Sequence, residues 1–209
     1  MRARCSLGNK YHLMSRLIYN ARQAKVGAPS TKQRKHTFKS DKGVNEMENI
    51  SINEAQKQTS PNPITLICVE ESPGVTNLAA VSWWTYLSMQ PAMLGFALSK
   101  EGYSGELIKK SGNLVLSIPG EALADAAFKC GCVSGRDVQK AEEFGIEMTS
   151  EGEHKFPVNS KLAFACSLES TADAGDHTFY ICKIDDVFFN SNEKQLFSWD
   201  GYAKLGTLS

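Results

Sequence analysis

The uneven distribution of charge along the chain is the feature that most constrains where a folded core can form. Residues 1–46 contain eleven Lys or Arg and two acidic residues, a net charge of +9. Residues 47–209 contain 12 basic and 21 acidic groups, a net charge of −9. The basic segment has few large apolar side chains after Tyr19, so disorder is its expected state. We therefore expect a basic tail or presequence over 1–46, a polar lead-in over 47–61 and a folded domain over 62–209.

The basic segment is open to three interpretations. It is a solvated tail without function, with Met47 as the true start, or a targeting presequence, since it is rich in Arg and Ser and poor in acids, as transit peptides are. Alternatively it is an arm whose cations neutralise nucleic-acid phosphates, although no aromatic interleaving supports that reading. We expect a cytoplasmic protein without a nucleic-acid or membrane partner, and organellar import if the segment is a genuine presequence.

The rest of the chain is patterned as short strands with few helices. Apolar and alternating runs predict six strands, at 64–69, 75–84, 91–99, 113–118, 161–169 and 177–189. Short helices are expected from a cap at Ser104 to Gly112, over 121–128, and over 137–144 with a stop at Gly145. The helices are too few for alternating βαβ units. The pattern favours a mainly β fold, a small β-barrel with short helices.

Several common chemistries have no support in the sequence. There is no G-x-G-x-x-G opening a helix, no P-loop and no G-x-S-x-G elbow. The four His are scattered and do not form a zinc spacing with Cys130 and Cys132, so no metal site is expected. Cys68, Cys166 and Cys182 lie in apolar runs and are expected to be small buried apolar residues. Cys130 and Cys132 are expected to be structural, with a redox pair as the alternative.

The consecutive residues Trp83 and Trp84 are the most unusual local feature. In a strand, neighbouring side chains point to opposite faces, so one Trp would enter the core and the other would face a pocket or a partner. Ala79, Ala80 and Ser82 precede them, and these small side chains would let a planar ligand approach the backbone. A core Trp beside a dimer-interface Trp remains the alternative.

Five segments, taken in order, resemble the flavin reductase-like family, the flavoredoxin and FMN-binding split-barrel proteins. The segments are Gly74–Asn77 leading into Ser82–Thr85, Leu87, Ser88 and Pro91; Leu107–Ile118; Cys132–Lys140; Gly175–Ile181; and Gly201–Gly206. The resemblance covers residues 62–206 and takes in nothing from 1–46. Two positions depart from the family pattern: Ser117 stands where Asn is common, and Cys182 stands where Gly is usual.

The resemblance implies a set of cofactor-binding residues. The segment Asn77 to Trp84 would lie along the isoalloxazine, with low side chains at Ala79 and Ala80, hydrogen bonds from Asn77, Ser82 and backbone amides, and one Trp beside the ring. The phosphate would lie by Ser99, Lys100, Tyr103 and Ser104, at the start of a helix. The full set is Asn77, Ala79, Ala80, Val81, Ser82, Trp83, Trp84, Ser99, Lys100, Tyr103, Ser104, Ser134, Gly135, Arg136 and Lys140.

Two further roles are implied near the reacting ring. Arg136 and Lys140, four apart at a predicted helix start, would share a face. One of them would stabilise reduced flavin or meet a nicotinamide phosphate. His177 would contact the pyridine nucleotide or cap the cavity, and it is the single catalytic candidate; a structural His is the equal alternative.

The resemblance implies an FMN-binding flavoprotein oxidoreductase in which NAD(P)H reduces the flavin and electrons pass to an acceptor. The protein would be a homodimer with the flavin near the subunit interface, and a protein electron acceptor is one further partner. The alternatives are a flavoredoxin-type electron carrier that keeps FMN bound without reacting with NAD(P)H, and a flavin-free barrel that acts as a binding module.

Overall fold

A computed structural model describes residues 47–208 as a mainly β structure with short helices. In chain order the helices and strands are α1 (Ile52–Gln58), β1 (Asn62–Pro63), β2 (Thr65–Ser72), β3 (Val75–Val81), β4 (Trp84–Met89), β5 (Ala92–Ser99), α2 (Tyr103–Ser111), β6 (Asn113–Pro119), a 3₁₀ turn (Glu121–Leu123), α3 (Ala124–Cys132), α4 (Lys140–Glu143), β7 (Met148–Glu151), β8 (His154–Pro157), β9 (Ser160–Ala174), β10 (His177–Phe189), β11 (Phe197–Trp199) and β12 (Lys204–Gly206).

A seven-stranded antiparallel sheet forms the body of the molecule, in the order β3-β2-β6-β9-β10-β5-β4. The strands β3 and β4 are consecutive in the chain, yet they lie at the two ends of this sheet. The sheet must therefore curl round until its two ends meet. Only Ser82 and Trp83 link these two strands, and a hydrogen bond of 2.9 Å from the amide of Ala97 to the carbonyl of Trp83 extends the β4–β5 pairing into this junction. The predicted barrel is thereby confirmed, and this junction brings the two ends of the sheet together.

Two hydrophobic cores lie on opposite faces of the sheet. The first fills the barrel and includes Phe96 and Tyr180, whose rings stack with centroids 5.4 Å apart. The second lies between the sheet and an outer layer that includes α3, and it contains Leu78, Ala127 and Leu196. Since strand side chains alternate between faces, neighbouring residues of β3 serve different cores. Both cores therefore fix the position of β3.

The strand predictions are confirmed in most of their extent, with one important break. The predicted strand over 75–84 ends at Val81, and after Ser82 and Trp83 a separate strand, β4, begins at Trp84. The hairpin of β2 with β3 is confirmed. The predicted stop of α2 is also confirmed, because Gly112 adopts a φ of +72°, which favours glycine.

Two helix starts were predicted wrongly. The N-cap of α2 is Gly102 and not Ser104, whose hydroxyl is instead buried and bonded to another element. The predicted helix over 137–144 is reduced to α4, Lys140–Glu143, with turns before it. No strong N-cap side chain precedes this segment at the right place, since Gln139 occupies the cap and makes no capping hydrogen bond.

The buried cysteines behave as small apolar residues. Cys68, Cys130, Cys132, Cys166 and Cys182 are all buried, and none of these five is part of a disulfide. Burial raises the pKa of the Cys130 thiol to about 12, so this thiol stays protonated at neutral pH. The Cys132 thiol donates to the Phe128 carbonyl within α3. These contacts support the structural reading of the pair.

Within residues 47–208, no helix is long and apolar enough to span a membrane. In the same range, no three His, Cys, Asp or Glu side chains are grouped as metal ligands would be. The predicted tail, 1–46, lies outside the described residues, as does Ser209.

Candidate functional site

The candidate site begins at the junction of β3 and β4, where the side chain of Trp83 lies at the protein surface. Its side chain is 49% exposed, and its ring lies 4.9 Å from the imidazole of His177, centroid to centroid, at a tilt of 42°. Trp84 instead packs at the edge of the barrel core, near Tyr86 and Phe164. The two Trp therefore divide as the sequence predicts, one towards the core and one towards a surface.

His177 is fixed by its place in the sheet and by an acidic neighbour. It is the first residue of β10 and pairs with Ser99, the last residue of β5. Its Nδ1 lies 2.7 Å from Oδ1 of Asp176, and this hydrogen bond lowers the pKa of the Asp176 carboxyl. Nδ1 is thus engaged with a carboxylate, an arrangement that orients the ring and leaves Nε2 as its other polar atom.

The loop after β5 connects this surface to α2. The backbone of Gly102 bonds to Ser99, and α2 begins at Tyr103. Ser104 is buried, and its hydroxyl accepts a hydrogen bond of 2.7 Å from Nδ2 of Asn77 in β3. Two residues 27 positions apart are thereby joined, and β3 is fastened to the first turn of α2.

Gly135 and Arg136 close the far side of the same surface. A Cβ on Gly135 would collide with the amide oxygen of Asn77, so this position requires glycine for the loop to approach β3. The guanidinium of Arg136 lies 4.7 Å from the centroid of the Tyr103 ring, in a cation–π contact, and pairs with Glu106 of α2. Six of the sixteen predicted residues therefore form one continuous band, from Trp83 through His177, Ser99, Tyr103 and Asn77 to Arg136.

Each charged or phenolic group of this band already has an acidic partner. Lys100 pairs with Asp173, Arg136 pairs with Glu106, and the Tyr103 hydroxyl donates a hydrogen bond of 2.8 Å to Glu71. The hydrogen bond to Glu71 raises the pKa of Tyr103. The acids are surface residues on other elements, and no sequence spacing pointed to them. An anionic ligand would therefore have to displace these carboxylates from Lys100, Arg136 or Tyr103.

The predicted pairing of Arg136 with Lys140 on one helix face is wrong. Arg136 lies in a turn, whereas Lys140 begins α4, is only 4% exposed and donates to the carbonyls of Leu78 and Cys130 at 2.7 and 2.8 Å. The Lys140 ammonium thus links β3 to α3 through two buried hydrogen bonds. Because its hydrogen bonds are directed into the protein, we do not place it among the cofactor ligands.

The small residues of β3 also differ in what they face. Ala79 packs against the barrel core and Ala80 against the second core, so their side chains point to opposite faces. Val81 is buried in the barrel core, and its carbonyl accepts a hydrogen bond from Thr65. Ser82, half-buried, lies at the break before Trp83. Ser134 accepts a hydrogen bond from the amide of Arg136 and shapes the loop beside Gly135.

A model of the flavin reductase-like domain matches residues 58–206, which is most of the chain. The chain belongs to the flavin reductase-like family. Among curated relatives, a protein of Archaeoglobus fulgidus is 27% identical over 110 residues, 52% of this chain and 62% of the relative. A protein of Pyrococcus abyssi is 30% identical over 122 residues, 57% of this chain and 70% of the relative. The match thus spans less than two thirds of the first relative.

Solved structures of this family share the fold. A flavoredoxin from Methanosarcina acetivorans has a TM-score of 0.66 at 22% identity, covering 78% of this chain and 92% of that chain. An FMN-binding protein from Thermus thermophilus has a TM-score of 0.67 at 16% identity, covering 83% and 96%. A Streptomyces globisporus NADH:FAD oxidoreductase has a TM-score of 0.63 at 12% identity, covering 71% and 86%. These similarities show that this member of the family is a split barrel.

The hydrogen bond between Asn77 and Ser104 predicts a measurable loss of stability. Ser104→Ala would leave the buried Nδ2 of Asn77 without this acceptor, which costs about 1–3 kcal/mol. Ser150→Ala, on an exposed position of β7, is the matched control and should change stability by less than about 0.5 kcal/mol. Urea unfolding measures both. Equal midpoints for the two variants would show that the bond contributes nothing.

Proposed function

We propose that this protein binds FMN and acts as an oxidoreductase that takes electrons from NAD(P)H and passes them to an acceptor. The observation that carries the proposal is the continuous band from Trp83 to Arg136. Its members come from five separate parts of the chain and meet on one surface. A flavin mononucleotide needs a flat aromatic contact at one end and anion-binding groups at the other, and the band offers both.

The start of α2 supports the phosphate end of the proposal. Its N-cap is Gly102, and no side chain caps the helix, so its first amide groups remain available to an anion. Ser99 and Lys100 are exposed directly before it. The pairing of Lys100 with Asp173 must then give way to a pairing with phosphate. Ser99, Lys100 and the α2 amides would hold the phosphate, and Ser104 would act by fastening β3.

The Trp83 end supports contact with the flavin ring. Trp83 presents a half-exposed planar surface, and the adjoining His177 is oriented by Asp176. At the opposite end of the band, the guanidinium of Arg136 is held over Tyr103, where its positive charge would meet the phosphate of a nicotinamide nucleotide. A bound flavin would supply the hydride and electron transfer. The protein residues would bind it, orient it and set its charge environment.

The role of Lys100 can be tested by flavin affinity. Lys100→Gln should weaken FMN binding roughly tenfold or more, because a charge-assisted hydrogen bond contributes about 1.5–3 kcal/mol. Lys110→Gln, an exposed residue in the last turn of α2, removes the same charge at the other end of this helix and should leave affinity unchanged. Titration of apoprotein with FMN, followed by flavin fluorescence, gives both dissociation constants. Equal constants for the two variants would remove Lys100 from the phosphate site.

We also propose that the protein is a homodimer assembled through β4. This strand ends the seven-stranded sheet and exposes Tyr86 to 55% and Met89 to 89%. A second copy would cover these apolar side chains and the free strand edge. Sedimentation should give the mass of two chains for the wild type and of one chain for the double variant Tyr86→Lys, Met89→Lys. Phe189→Lys, at a comparably exposed aromatic position on β10, should remain dimeric. A dimeric β4 variant would place the interface elsewhere.

A further inference from the structure

A second cavity lies away from the flavin site, between the β7–β8 hairpin and the strands β9 and β10. Its volume is about 250 Å³, and its walls include Phe156, Phe188 and Phe189, with Thr149 and Glu151 from the hairpin. None of its lining residues belongs to the band from Trp83 to Arg136. A concave, mainly apolar space with a few polar groups is typical of a small-molecule site.

Three of the nine residues that line this cavity are phenylalanines. The rings of Phe156 and Phe188 stack with centroids 5.6 Å apart and an interplanar angle of 19°. On the outer rim, Phe189 is 66% exposed, and the ammonium of Lys161 lies 4.6 Å from the centroid of its ring. The faces of aromatic rings carry partial negative charge and attract cations. The Lys161 contact is an example of that attraction at this rim.

The charge of the cavity is set mainly by Glu151. Among the lining residues within the described range 47–208, Glu151 is the one ionisable side chain. It pairs across the hairpin with His154, whose Nε2 lies 4.0 Å from the Asp186 carboxylate. Lys155, the next residue of β8, points to the opposite face of the hairpin because strand side chains alternate. Lys161 supplies positive charge at the Phe189 rim but does not line the cavity.

We propose that this cavity binds an organic cation, an arylalkyl amine in its ammonium form. The aromatic part would lie against Phe156 and Phe188, and the ammonium group would lie at Glu151, away from Lys161. The Glu151 carboxylate favours a cation over a neutral or anionic compound of the same shape, and the Phe rings offer apolar contact to the aromatic part. The site is independent of the flavin site, so such a ligand binds whether or not flavin is present.

The proposal is tested with benzylammonium as the probe and benzyl alcohol and benzoate as its neutral and anionic counterparts. Titration of the full chain, followed by ligand-observed NMR, should give the tightest binding for benzylammonium, about threefold tighter than benzyl alcohol. Saturating FMN should leave the benzylammonium affinity unchanged. Equal affinity for benzylammonium and benzyl alcohol, or displacement of benzylammonium by FMN, would overturn the proposal.

Paired substitutions on the hairpin locate the probe. Glu151→Gln keeps the size of the side chain and removes its charge, so it should weaken benzylammonium binding about threefold, as expected for an exposed charge pair. Glu153→Gln removes the same charge from the adjoining turn, which does not line the cavity, and should have little effect. Both substitutions lie at exposed positions, so neither should perturb folding. If the two substitutions weaken binding equally, the cation responds to the overall negative charge of the hairpin. That result would contradict a site at Glu151.

Discussion

The antiparallel pairing of β10 with β5 on one side and β9 on the other is the constraint on which the rest of the structure depends. It sets His177 beside Ser99 at one end of the strand. It also directs Phe188 and Phe189 to the wall of the second cavity at the other end. One strand of 13 residues thereby positions both sites that we describe. A shift of register by one residue would reverse every side chain between core and surface.

The candidate site is organised by polar contacts between neighbouring elements of this sheet. Asn77 is held by Ser104 on one side and approached by Gly135 on the other, so β3, α2 and the 134–136 loop are fixed together. The cations of the site are paired with carboxylates rather than left to solvent. Such exposed pairs contribute little to stability. A doubly charged phosphate can therefore replace a carboxylate partner at modest cost.

The sequence predicted the parts of this arrangement that depend on local patterning. Long apolar or alternating runs identified the main strands, and the ordered motifs identified the residues that meet at the candidate site. The break after Val81 was missed because Ser82 and Trp83 continue a polar–apolar alternation, and only the closure of the barrel interrupts the strand there. The short hairpin of β7 and β8 was missed because its eight strand residues are mostly polar. The burial of Lys140 was also missed, because its partners are backbone carbonyls that leave no trace in the sequence.

The central claim, that this split barrel carries a flavin reduced by a nicotinamide nucleotide, is tested most directly by visible absorption. The purified protein, supplied with FMN, is kept without oxygen and mixed first with NADH and then with NADPH. We expect a protein-bound flavin spectrum that bleaches with at least one nucleotide. A bound spectrum that persists with both would contradict direct reduction and favour an electron carrier. Failure to bind FMN would contradict the flavin site itself and favour a flavin-free binding module.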